Sequence, residues 1–378
     1  MRDTPSDEGK QRMRAGRPGL RRRIGSALRV LFVGVLALVL IVEAVSLIII
    51  RREGDLPLPP TFGNFDPVRA LLAKDARSEE FSFAVVGDPH ISSTFAELCR
   101  QLRDMPLSFM VILGDGVSRP TPAQHQFLRA EWATELAMPF PVFYAVGNHD
   151  VDEKTFPLDL FEKTYGPTNF SFEYGRCLFI VLRALEPPCS SRESIEFLQS
   201  VLSSRRAACR RVFVFMHIPP MVSSDYQVRG LDSAGEFALL FDRFKVDYVF
   251  GGDYHGLARV KVRDTVYLVT GGGGGRLRKQ KFGRAHHAMV IGVRPDSISE
   301  RILYVDRKTD WKDEMEAFAI AKFHPWLEEN RLAVVVANAG ILGFWAWALG
   351  GFVRNRARRR PKNPQLSRPA SPDGQAMT

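Results

Sequence analysis

Five short segments end an apolar run with a small set of polar residues, and the residue types are those that hold divalent cations. They read VVGDPH (85–90), ILGDG (112–116), AVGNHD (145–150), VFMH (214–217) and FGGDYH (250–255). Each stops a hydrophobic stretch, usually at glycine, and then presents Asp, Asn or His. Asp88, His90, Asp115, Asn148, His217, Asp253 and His255 form the candidate ligand set. Oxygen and imidazole donors without cysteine suit Mn, Fe or Zn. Seven donors exceed one tetrahedral ion but nearly complete two sites that share a carboxylate. Paired cations are a recurring device for phosphoester hydrolysis.

The elements that must carry these residues follow from periodicity. Strand-like runs fall at 81–87, 108–114, 141–146, 177–184, 212–216, 247–251, 258–263, 266–270, 287–293 and 298–304. Helical patterns begin after Thr121, with Pro122 at the first helical position, and run over 191–206 and 233–244. Alternation of strands and helices predicts an α/β fold. The late strands lack intervening helices, which predicts a partly antiparallel second half. In open α/β sheets, ligand sites collect beyond the carboxyl ends of strands, where these motifs lie.

The ordered set GDxH, GD, GNHD, a lone strand-end His and GxxH, over residues 81–275, resembles the calcineurin-like metallophosphoesterase superfamily. The resemblance implies a four-layer α/β/β/α sandwich. It also implies a centre of two divalent metal ions: Asp88, His90 and His255 on the first, Asp115 bridging, Asn148 and His217 on the second. The chain departs from the pattern at Asp253, which stands where the family has a histidine. Asp253 is taken as a carboxylate ligand to the second ion, which favours Mn; the alternative is that it supports the site without ligating. The resemblance assigns His149 to the leaving oxygen, with Asp150 orienting its ring. Tyr254 and Arg276 are candidate substrate contacts. The five glycines at 271–275 lack the Lys-Ser/Thr of a phosphate-binding loop and read as a loop at the rim of the cleft.

Outside this region, Val30 to Ile50 is apolar except for Glu43, and Leu332 to Val353 carries no charge. Each has roughly the 20 residues a membrane-crossing helix needs. A cleaved signal peptide competes for the first, yet the run continues past its faint cleavage site. Arginines cluster before the first run (Arg12 to Arg29) and after the second (Arg354 to Arg360), which places both termini in the cytoplasm and the catalytic domain outside it. The expected organisation is a basic tail (1–29), a transmembrane helix (30–50), a linker (51–80), the phosphoesterase domain (81–305), an amphipathic connector (306–331), a second transmembrane helix (332–353) and a basic tail (354–378). The formal charge of +10 comes largely from the tails, so no nucleic-acid partner is expected. Cys99, Cys177, Cys189 and Cys209 show no zinc spacing; two disulfides or free thiols are both compatible with them.

The expected protein is a membrane-anchored hydrolase that cleaves a phosphomonoester or phosphodiester with a metal-bound hydroxide. Two flanking spans put lipids and lipid-linked phosphoesters among the candidate substrates. The rival reading is a non-catalytic membrane binding or assembly factor that keeps the fold.

Overall fold

The computed structural model describes residues 31–44, 48, 56–75, 78–187, 189–278, 285–305 and 311–358, with side chains of the last helix described mainly to Trp347. The chain divides into two units, residues 43–326 and residues 1–42 with 327–378.

The larger unit holds two sheets. One has strands β1 (Phe81–Val86), β2 (Phe109–Ile112), β3 (Val142–Tyr144), β10 (His287–Val293) and β11 (Ile298–Tyr304), in the order β11-β10-β1-β2-β3. The other has β4 (Phe170–Tyr174), β5 (Cys177–Leu182), β6 (Arg211–Met216), β7 (Tyr248–Gly251), β8 (Leu257–Val262) and β9 (Thr265–Thr270), in the order β4-β5-β6-β7-β9-β8. β1, β2 and β3 run parallel, as do β5, β6, β7 and β9. β10 and β11 add antiparallel strands at one edge, and β4 and β8 flank the other sheet antiparallel.

Strand periodicity of two explains the layering. Phe83 and Val85 of β1 face the second sheet, where Phe179, Phe213, Phe215 and Phe250 meet them in a core rich in phenylalanine. Ala84 and Val86 face away, onto α2 (Ser93–Arg103, the helix after the short α1, Asp66–Ala70) and α3 (Pro122–Thr134) through Leu98, Phe127 and Trp132. The outer face of the second sheet is covered by α5 (Arg192–Arg205) and α6 (Ala234–Arg243) through Leu198, Leu202, Phe237 and Phe241. The result is helix on sheet on sheet on helix. Both faces of β1 are buried, which is why its sequence is a continuous apolar run. α3 begins where the sequence places it: the Thr121 hydroxyl accepts from Gln124 N at 3.3 Å, and Pro122 occupies the first turn. The strand β4 and the helix α4 (Leu158–Tyr165) fall where periodicity signalled no element, because FSFEY is only five residues long and bounded by loops.

A helix α7 (Trp311–Phe318) and a π-helical turn (Ala319–Phe323) close this unit. They lie in the stretch expected to be a plain connector. Instead Ile320 is buried in the core beside α2 and α3, and Gln124 donates to its carbonyl.

The expected membrane topology is corrected by the structure. Among the described residues no helix is long and apolar enough to cross a membrane. The described helical residues 31–44 rise about 21 Å, against roughly 30 Å for a hydrocarbon core. Of the expected first span, residue 30 and positions 45–47 and 49–50 lie outside the described residues, as do the basic tail at 1–29 and, of the tail expected at 354–378, residues 359–378. The last helix, α9 (Arg331–Arg358, following the short α8, His324–Glu329), is continuous, and Asn338, Gly340 and Gly343 lie among its apolar residues. Transmembrane helices at 30–50 and 332–353 are therefore not supported, nor is the integral-membrane, two-span placement with cytoplasmic termini that rested on them. The four cysteines are free, three of them buried.

Candidate metal centre

The loops that follow β1, β2, β3, β6 and β7 converge, because parallel strands deliver their carboxyl ends to one side. Asp88 and Asp115 are buried at the mouths of β1 and β2. The ligand atoms of Asp88, His90, Asp115 and His255 lie within 4.8 Å of one another. His90 Nε2 is 3.6 Å from Asp115 Oδ2, and His255 Nε2 is 3.4 Å from Asp88 Oδ1. His217 Nε2 lies 3.4 Å from Asp115 Oδ1 and 3.0 Å from Asn148 Oδ1. Six of the seven predicted ligands thus meet around Asp88 and Asp115.

The donor pattern fits cations. His217 Nδ1 donates to Leu113 O at 2.7 Å, and His255 Nδ1 donates to Arg276 O at 3.0 Å. Each ring therefore turns a lone pair on Nε2 toward the centre, His217 beside Asp115 Oδ1 and Asn148 Oδ1 and His255 beside Asp88 Oδ1. Asp88 Oδ1, His90 Nε2 and Asp115 Oδ2 are buried with no hydrogen-bond partner. Acceptors facing acceptors in a buried place are unfavourable unless positive charge lies between them. Backbone carbonyls that fix histidine tautomers are also the usual outer support of metal ligands.

Electrostatics carry the same message. Burial pushes the Asp88 carboxyl well up, with the charges of Asp115 and Asp253 adding to it. Burial raises Asp115 to about 7. His90 is held well below its ordinary value by burial and then by the neighbouring His149 and His255 rings. His217 and His255 are lowered as well, chiefly by burial. Without a cation, the carboxylates resist ionisation and the imidazoles stay neutral.

The backbone is shaped for this convergence. Asp88, His90, Asp115, Asp253 and His255 all have φ between 52° and 60°, in the left-handed region. Each such non-glycine residue costs about 1–2 kcal/mol, a strain that surrounding structure must hold. Gly147 permits the approach of two loops: a Cβ there would lie 2.2 Å from Asp115 Oδ1. The glycine run is packed against the β1 loop, and three of its five amides bond to backbone carbonyls of the protein. Gly273 N donates to Gly87 O at 2.7 Å and Gly275 N to Asp88 O at 2.9 Å.

His149 sits half-buried at the edge of the centre, its Nε2 4.0 Å from Asp115 Oδ2. Its Nδ1 donates to Ser118 O at 2.9 Å, so that carbonyl orients the ring in the place proposed for Asp150. Asp150 instead ties loops together. Its Oδ2 accepts from Asp115 N at 2.8 Å and Gly147 N at 2.7 Å, and its Oδ1 accepts from Tyr144 Oη at 2.5 Å and Val117 N at 3.3 Å.

Asp253 lies outside the close ligand group. Its Oδ2 accepts from Arg229 N at 2.7 Å and its Oδ1 is 3.1 Å from Arg229 Nε. The Tyr254 hydroxyl turns to Asp225 O at 3.2 Å. Arg276 lines a cleft of about 530 Å³ together with His90, His149, His255, Gly275, Phe318 and Lys322. The α7 and π-turn residues in this wall were not foreseen; a π-turn in a helix is itself a frequent mark of functional sites, but it leaves no pattern in the sequence.

The fold and this centre define a calcineurin-like phosphoesterase domain. Residues 81–257 match the family model of that description, which places this segment in the calcineurin-like metallophosphoesterase superfamily. Among curated proteins it is similar to the serine/threonine-protein phosphatase CPPED1 of Bos taurus, 29% identical over 184 residues, covering 45% of this chain and 58% of that one. The alignment thus spans little more than half of that relative. Among solved structures it is similar to a dimetal phosphatase from Danio rerio (13% identity, 60% of this chain and 96% of that one, TM-score 0.49). It is also similar to GAP50, the anchor in the inner membrane complex of Plasmodium (16% identity, 64% and 95%, TM-score 0.44).

Proposed function

We propose that the domain hydrolyses phosphate esters at the centre formed by Asp88, His90, Asp115 and His255, with Asn148 and His217 extending it from Asp115. The observation that carries this reading is the group of buried atoms Asp88 Oδ1, His90 Nε2 and Asp115 Oδ2, which have no hydrogen-bond partner and lie in one cluster of ligand atoms. A divalent cation held there supplies a Lewis acid for the phosphoryl oxygens. The side chains do the rest. His149, fixed through Nδ1 by Ser118, presents Nε2 to the cleft; as the imidazolium, protonated on both nitrogens, it would give its Nε2 proton to the departing oxygen and keep the Nδ1 proton on Ser118 O. Arg276 and Lys322 put positive charge on the cleft walls to draw in the phosphate. Ala317, Phe318 and Ala321 form an apolar strip beside them, which suits an ester whose alcohol has an apolar or lipid-like part.

The test is release of product from p-nitrophenyl phosphate, bis-p-nitrophenyl phosphate, a phosphoserine peptide and a short-chain phospholipid, each with added Mn. The wild type is expected to exceed Asp88→Asn by at least about a hundredfold on one class. Equal rates for the two proteins on all four probes, with Mn, Fe or Zn, would refute the assignment.

A further inference from the structure

Asp253 is a third buried carboxylate on a loop that meets Asp88. Asp253 is 2% exposed, and a buried carboxylate needs a compensating cation. The structure shows which one it has. Arg229 grips both oxygens, one through its backbone N–H and one through Nε. The same guanidinium reaches Glu186 Oε1 at 2.6 Å, so it is anchored from two sides. Glu186 and Asn148 line one cleft, which puts this anchor on the Asn148 side of the centre. Asp253 N in turn donates to Asp88 Oδ2 at 3.2 Å, so the pair is joined to the first group of ligands through the backbone.

We propose that Arg229 is a built-in cation that takes the charge role of a second metal ion. The centre then holds one ion tightly, at Asp88, His90, Asp115 and His255. The half-site of Asn148, His217 and Asp253 accepts a second only when Arg229 is displaced. This rests on the phosphoesterase reading for its setting, but concerns only which cations the side chains hold. A guanidinium cannot be deprotonated at working pH, so it competes with a divalent ion at every pH where the protein is folded. Asp253 has both oxygens engaged, and freeing one for an ion would leave Arg229 sharing its partner with a doubly charged neighbour.

The experiment is manganese titration read by metal analysis after desalting and by electron paramagnetic resonance. The wild type is expected to keep one Mn per chain with the hyperfine pattern of an isolated ion. Arg229→Gln should bind a second Mn about tenfold or more tightly than the wild type and show the broadened spectrum of an exchange-coupled pair. Arg229→Lys, which keeps the charge, should stay with one. Because Arg229→Gln leaves Asp253 unpaired, the double variant Arg229→Gln, Asp253→His provides a second test, removing both charges; it too should bind two. A coupled pair in the wild type at the same free Mn as in Arg229→Gln would overturn the inference, with or without folded variants. So would folded variants that still bind one. A wild type that binds one Mn yet hydrolyses none of the four probes would remove the proposed activity and leave this inference standing.

Discussion

Asp150→Asn is the most informative single change, because it alters one atom of the side chain and no volume. The carboxylate accepts four hydrogen bonds in a fully buried place. An amide has one acceptor oxygen. Its best placement keeps that oxygen on Asp115 N and Gly147 N and turns the NH2 toward Val117 N and Tyr144 Oη. Val117 N–H then loses its acceptor, at about 1–3 kcal/mol, and the Tyr144 hydroxyl loses an ionised partner, at about 1.5–3 kcal/mol. Tyr144 Oη already accepts from Gly116 N, which limits its ability to compensate. The expected loss is about 3–5 kcal/mol, a large share of a typical domain stability of roughly 5–15 kcal/mol. Urea unfolding at pH 8 in chelator measures it. Burial raises Asp150 to about 7 against the pull of its donors, so at pH 8 the wild type is ionised and the contrast is greatest. The penalty should shrink toward pH 5, where a protonated carboxyl resembles the amide. Tyr144→Phe should cost less, and a double-mutant cycle should show coupling between the two positions. An Asp150→Asn protein within 1 kcal/mol of wild type at pH 8, or one with no coupling to Tyr144, would show that this clamp does not hold the loops.

Three further outcomes are expected. His149→Gln should retain its Mn by metal analysis while kcat falls by about a hundredfold or more; unchanged kcat would remove His149 from proton transfer. In metal-free protein, Asp115 carries a folded-state value of about 7 against an ordinary 3.8, so the folded state holds a proton that the unfolded chain has released. Its contribution to stability is therefore present below about pH 4 and lost as pH rises through 7. Compared with Asp115→Asn, the wild type should lose Tm over that window in chelator and regain it with Mn; a rising difference would contradict the sign. Lys322→Ala should raise KM for an anionic ester about fivefold with little change in kcat, matching the modest worth of an exposed charge, and an unchanged KM would place Lys322 outside the substrate path.

Much of the centre is legible in the amino-acid order because its information is local. An apolar run that stops at glycine and presents Asp or His declares both a buried strand and the edge at which it ends. That signal puts Asp88, His90, Asp115, Asn148 and His255 at strand ends, His217 follows a strand without a glycine, and periodicity marks ten of the eleven strands. Hydropathy served the flanks poorly: apolar runs at 30–50 and 332–353 looked like membrane spans, yet no described helix is long and apolar enough to cross one. What a run packs against depends on the rest of the chain, and composition does not carry that.

Only the tertiary structure decided which partner each polar group takes. Ser118, not Asp150, orients His149, because the loop after β2 passes over the ring. Asp150 joins the loops after β2 and β3, and Arg229 reaches Asp253 across 24 positions. These pairings depend on where separate loops are brought by two stacked sheets, and on left-handed backbone at Asp88, Asp115 and Asp253 that only the packed fold can hold.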